Sequence, residues 1–182
     1  MNSRSRDGSH NTARTFPLIT AVRSGGQTGV DRGALDAASE SGMPVTGWCP
    51  AGGWAEDLPD APGLLTDYPE LTETPSTDPA WRTEWNVRDS HVTLVITPGS
   101  SGPDASRSPG TDLTVALAEA YGRPVMTVSA SQDVHITFRW LFRQGRGLTV
   151  NIAGPRESEC PGAYAFTRTF VAALLNTCGD RQ

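Results

Sequence analysis

Eight residues, Ser24-Gly25-Gly26-Gln27-Thr28-Gly29-Val30-Asp31, carry the densest set of anion-gripping groups in this chain. Three glycines let the backbone turn tightly and leave its N–H groups uncovered. Ser24, Gln27, Thr28 and Asp31 add polar tips. The run before the loop, Leu18-Ile19-Thr20-Ala21-Val22, reads as a strand, and the small-residue run from Arg32 to Ala38 reads as a helix. A glycine loop feeding a helix N-terminus meets a partial positive charge of roughly half a unit, which favours phosphate or another anion. The same glycines also suit a bare strand-to-helix turn. Gly25, Gly26 and Gly29 do not fall in the G-x-G-x-x-G spacing, and no Lys-Ser or Lys-Thr follows, so neither common nucleotide fingerprint is present. The chain has no lysine; all 15 basic residues are arginine. Schiff-base chemistry is thereby excluded.

Two further loops have the same character. The stretch 98–110 is rich in Ser, Gly, Pro and Asp, and it ends in Pro109-Gly110-Thr111 ahead of a helix over 112–121. Ala153-Gly154-Pro155-Arg156-Glu157-Ser158 follows a β-type run, Leu148 to Ile152. Arginines near these loops offer fork-shaped, charge-assisted contacts to phosphate or to other oxyanions. Arg82 and Arg156 are the candidates, with pairing to Glu84 or Asp89 and to Glu157 or Glu159 as their scaffold roles. Arg88 is more readily paired with a carboxylate.

The elements that position these loops follow from periodicity and punctuation. A helix is expected over 31–40, closed by Gly42 and Pro44, then a short strand over 43–48. An irregular stretch over 49–77, flanked by Trp48 and containing Trp54, Glu56, Asp57, Tyr68 and Glu73, reads as a functional loop or lid. Its aromatics suit either stacking on a planar ligand or stapling the loop to the body. Asp78 and Pro79 cap and start a helix over 78–89, placing Arg82, Asn86 and Asp89 on one face. HVTLVIT (91–97) is a buried-type strand, 125–128 another, and helices are expected around Phe138–Phe142 and over 163–175. Strands and helices alternate, which is the pattern of an open, mostly parallel sheet with helices on both faces. In such sheets ligands sit beyond the carboxyl ends of the strands, where strand order reverses. All three loops follow strands, so they share that end.

Composition sets the bounds. At 182 residues one domain is expected: a disordered polar tail over 1–14, a domain over 15–176, and a polar tail over 177–182. A net charge of −5 argues against a general nucleic-acid surface. Nothing approaches the ~18 consecutive apolar residues of a membrane span. Cys49, Cys160 and Cys178 are sparse and odd in number, with no CxxC pair, which fits a reducing cytoplasm and makes a structural zinc site improbable.

Seven segments in order, SGGQTGVDRGALDAA, GWCPAGGWAEDLPD, YPELTETPS, RTEWNVRDSHVTLVIT, GTDLTVALA, NIAGPRES and PGAYAFTRTF, resemble the molybdenum carrier (molybdenum cofactor carrier) family. It is a Rossmann-like branch of the superfamily that holds the lysine-decarboxylase-like phosphoribohydrolases. The resemblance spans about 18–175. It implies a Rossmann-like subunit, a homo-oligomer (dimer or tetramer), and binding of molybdenum cofactor, a pterin with a phosphate and a dithiolene-held metal. On that reading Ser24, Gly25, Gly26, Gln27, Thr28 and Gly29 offer donors to the phosphate. Gly110, Thr111 and Asp112 offer a second set, Arg82 and Arg156 supply charge, and Asn86 and Ser158 orient polar edges. Two departures matter. The second loop is Pro109-Gly110-Thr111 after a Ser/Pro-rich insertion near 100–108, where relatives tend to carry Gly-Gly-Thr. The phosphoribohydrolase pattern PGGxGTxxE would put Glu at position 114, and Thr114 stands there. Cleavage of a glycosidic bond needs a carboxylate near the leaving base or attacking water. The reading is therefore a carrier without turnover. The alternatives are a nucleotide-binding sensor, or a nucleoside-monophosphate hydrolase drawing on Asp31, Asp112 or Glu119.

Overall fold

A computed structural model describes residues 17–99 and 108–179. The expected tail over 1–14, most of the insertion near 100–108 and the last three residues lie outside them. In chain order the elements are β1 (Ile19–Arg23), α1 (Val30–Glu40), β2 (Val45–Cys49), a 3-10 turn (Ala51–Gly53), α2 (Leu64–Asp67), β3 (Leu71–Glu73), α3 (Pro79–Arg88), β4 (Val92–Thr97), α4 (Pro109–Ala120), β5 (Val125–Ser129), α5 (Val134–Gln144), β6 (Leu148–Ala153) and α6 (Ala163–Gly179). The six strands form one sheet in the order β3-β2-β1-β6-β4-β5. Every pairing is parallel, with Val22 opposite Val45 and Val150, and Leu94 opposite Met126 and Ile152.

Right-handed crossovers put helices on both faces. On one, α1 packs on α6 and α6 on α5; on the other, α3 packs on α4. All six residues of β4 are buried, Thr93 and Thr97 with the aliphatics, as in a strand covered on both faces. Val30, Ala34, Ala37 and Ala38 form the small, fully buried face of α1 and join Val22, Leu94, Ile96, Ile152 and Leu174 in the main core. A second, smaller core of Leu35, Cys49, Ala55, Leu64 and Leu71 lies under the β2–β3 connection.

The connection over 49–77 is more ordered than its composition suggests. It contains the 3-10 turn, α2 and the edge strand β3, whose Leu71 pairs with Gly47. A three-residue strand with one buried position has too little alternation to be read from sequence. Two helix ends also differ. α4 begins at Pro109, because Ser108 caps it through its side chain and Pro suits the first helical position. α6 runs to Gly179 and buries Cys178, so residues 177–179 belong to the helix.

Candidate functional site

Strand order reverses at β6. From β1 the chain moves toward β2 and β3; from β4 it moves toward β5. A crevice of about 100 Å³ opens there, lined by Asp31 after β1, Ser108, Gly110 and Thr114 after β4, Gly154, Arg156 and Glu159 after β6, and Pro79, Arg82 and Thr83 from the start of α3. The three strand-following loops thus meet at one end of the sheet. Of the residues picked out from sequence, Arg82, Gly110 and Arg156 line the crevice.

Arg82 and Asp31 are its polar floor. Nη1 of Arg82 donates to Oδ2 of Asp31 at 2.8 Å, with the carboxylate side chain 3% exposed and the guanidinium 15%. Asp31 also accepts from the Gln27 amide at 3.4 Å and sits in the first turn of α1. Burial pushes the Asp31 carboxyl above its ordinary range, against the pull of Arg82. Gly25 is required here. A Cβ on it would lie 2.2 Å from Nη1 of Arg82, so the pair rests directly on the loop backbone.

The glycine loop itself is clamped by its own chain. Oε1 of Gln27 accepts from the amides of Thr28 (3.0 Å) and Glu56 (2.9 Å). The carboxylate of Glu56 accepts from the hydroxyls of Thr28 and Ser158, the latter at 2.6 Å. Oγ1 of Thr28 accepts in turn from the Glu157 amide at 3.2 Å. Burial works to raise the Glu56 carboxyl, and the bonds from Ser158 and Thr28 outweigh it, leaving it below its ordinary range. Asp57 continues the latch through Arg32 (Nη2 to Oδ1, 3.0 Å). Gly29 has φ 73°, and a Cβ on it would lie 2.6 Å from Pro155 O and Glu157 N, which is how closely the β1 and β6 loops approach.

Other candidates hold the frame. The Ser24 hydroxyl donates to Ile152 O at 2.6 Å and ties β1 to β6. Asn86 is spent on the β2 backbone: Oδ1 accepts from Trp48 N at 2.8 Å and Nδ2 donates to Trp48 O at 2.9 Å. Gly26, at φ 75°, offers its carbonyl to Arg32. Ser108 takes much of the donor set expected at the second loop: its hydroxyl accepts from the Thr111 amide and its carbonyl accepts from the Asp112 amide. Oγ1 of Thr111 lies 3.0 Å from the Ser108 hydroxyl. Arg156 lies over the Trp54 ring, 5.5 Å from its centre, and its amide donates to Glu159. The partners that sequence reading left unassigned, Asp31 with Arg82 and Glu56 with Thr28 and Ser158, are separated by tens of residues and carry no local pattern. Among the described residues, no group of three His, Cys, Asp or Glu side chains gathers to hold a metal ion. No described helix is long and apolar enough to cross a membrane.

Residues 22–175, the span holding all of these loops, match the model of the circularly permutated YpsA SLOG family. The chain belongs to this family. A solved structure agrees with the assignment: "Putative molybdenum carrier protein" from Syntrophus aciditrophicus SB is 34% identical, with a TM-score of 0.74 over 88% of this chain and 98% of that one. No curated protein matches the chain. This member of the family has the Rossmann-like, all-parallel architecture expected from its alternating elements, with its Arg-lined crevice at the point of strand reversal.

Proposed function

We propose that the chain binds and carries molybdenum cofactor without transforming it, holding the cofactor's phosphate in the crevice. The observation that supports this is the convergence of three strand-following loops on a crevice with two arginines. That donor set fits the anionic end of the cofactor. Arg82 and Arg156 would hold phosphate oxygens through charge-assisted bonds, and Gly110 and Gly154 bring backbone close to them. No protein group is asked to ligate the metal, which arrives within the cofactor and supplies its own chemistry. The name carried by the similar solved structure points the same way. The reading includes a homo-oligomer in the cytoplasm, with a small-molecule pterin ligand and neither nucleic acid nor membrane as partner; sedimentation velocity on the full chain reads the first of these.

A second reading, hydrolysis of a nucleoside monophosphate, has one observation in its favour: Asp31 is a buried carboxyl lining the crevice, with its proton held more tightly than usual. One preparation separates the two. Protein purified from a host that makes molybdenum cofactor is denatured, and the released material is assayed for pterin fluorescence and molybdenum. Both are expected. Release of adenine-type nucleotides alone overturns the carrier reading, and splitting of added AMP to free base establishes turnover.

A further inference from the structure

We infer that the hollow beside the crevice is the ring half of a two-part site. It takes a planar heteroaromatic ring whose anionic substituent lies between Arg82 and Arg156. The inference rests on the reading above, that the crevice takes the anionic end of the ligand.

Size makes the first case. The crevice, at about 100 Å³, equals roughly three waters' share of liquid volume. That suits a tetrahedral oxyanion and falls below the roughly 300–1,000 Å³ of small-molecule pockets. The neighbouring hollow measures about 430 Å³ and is lined by Gly52, Trp54, Pro59, Ala61, Thr77 and Pro79, with Ala51 beside them. The two volumes are contiguous in their walls. Pro79 lines both. Trp54, from the hollow, is in contact with Arg156, from the crevice.

Chemistry makes the second. The hollow's lining has one indole, two prolines, small residues and no charged side chain, with Thr77 its only polar one. Such walls favour a flat ring over a charged or strongly hydrated group. The indole is mounted firmly: the next residue, Ala55, is fully buried and exchanges both backbone bonds with Leu58 (3.2 and 3.0 Å). The lining is loosely packed at Gly52, where a Cβ would meet only Ala61, at 3.8 Å. The aromatic therefore does more than staple its loop.

Equilibrium binding of a pterin monophosphate, AMP and inorganic phosphate to the full chain tests this. Trp54→Ala is expected to weaken the ring-bearing probes by about 5- to 150-fold, the range for loss of one base–aromatic stack. Inorganic phosphate should stay within about twofold, and Trp54→Phe should retain most of the ring affinity. Thr77→Leu, at an exposed position of the lining, fills the hollow without touching the buried frame and should weaken the ring probes alone. Which ring binds tighter identifies the ligand class. Equal losses for all three probes overturn the inference, because Trp54 would then act only by holding Arg156; unchanged ring affinity in Trp54→Ala and Thr77→Leu overturns it too. A wild-type chain that holds inorganic phosphate but neither ring probe more tightly overturns the inference and leaves the crevice reading standing. A wild-type chain that binds none of the probes overturns the crevice reading itself.

Discussion

Two arginines line the crevice, and they are held differently. Arg82 is locked to a buried carboxylate, whereas Arg156 is half-buried and rests on an indole. Arg156→Ala is therefore expected to weaken ligand retention at least tenfold, the usual order for a lost charge-assisted contact, with little change in melting temperature. Unchanged retention would remove Arg156 from the site. Two of the candidate glycines, Gly25 and Gly110, differ just as sharply. Gly25→Ala drives a methyl into Arg82 and Asp31 and should cost about 2 kcal/mol by overpacking. Gly110→Ala meets nothing within 4 Å, in the first turn of α4, and should be neutral or stabilising by about 0.5–1 kcal/mol. Urea unfolding of the two variants checks the contrast. At this scale Arg82, Arg156 and Gly110, candidates from their residue types and loops, line one crevice. The sequence did not reveal their partners. Asp31 lies 51 residues from Arg82, and only the crossover from β3 to β4 brings α3 onto β2 and within reach of the start of α1.

Among the elements, the β2–β3 connection is latched to the glycine loop. Trp54, Glu56 and Asp57 engage Arg156, Thr28 with Ser158, and Arg32 in turn. Hydrogen bonds hold Glu56 below its ordinary value of 4.5 and the Arg32 guanidinium holds Asp57 below 3.8. A carboxyl depressed in the folded state adds stability that is whole above its unfolded pKa and is lost as pH falls through the folded one. Amide protection over 54–58, taken relative to the intrinsic exchange rate at each pH, should thus stay high at neutral pH and fall below about pH 4. Glu56→Gln should loosen the segment at neutral pH by about 1 kcal/mol, since these groups are partly solvated, and remove much of its pH response. The alternation of strands and helices made the sheet legible, because each long element has a clear period. The latch was not legible: its residues have no periodicity, and their partners are set by where three loops end.

Across the whole molecule, charge is unevenly laid out. Between Arg32 and Arg82 every charged residue is acidic, and between Arg123 and Arg156 only Asp133 is. The acidic stretch contains β2 and β3, at one edge of the sheet, and the arginine-rich stretch contains β5, at the other. The acidic half also supplies a clasp. Asp36 on α1 accepts from the hydroxyls of Tyr68, after α2, and Tyr164, on α6, both at 2.7 Å. The third and last tyrosine, Tyr121, donates to Glu84 at 2.5 Å. All three phenols are held above their ordinary value of 10.0: Tyr68 by burial and then by Asp36, Tyr164 by its bond to Asp36, and Tyr121 by its bond to Glu84. Groups raised in this way stabilise the fold fully below the unfolded pKa, and that support is lost as pH climbs through the folded values. An alkaline absorbance titration of the native protein should therefore rise later than that of free phenols, which ionise at about pH 10. Tyr121, at the surface, should ionise first with the fold intact, and Tyr68, held by burial and Asp36, last and together with loss of ellipticity, so the Tyr68 step is an optical gauge of the chain's own opening that needs neither label nor ligand.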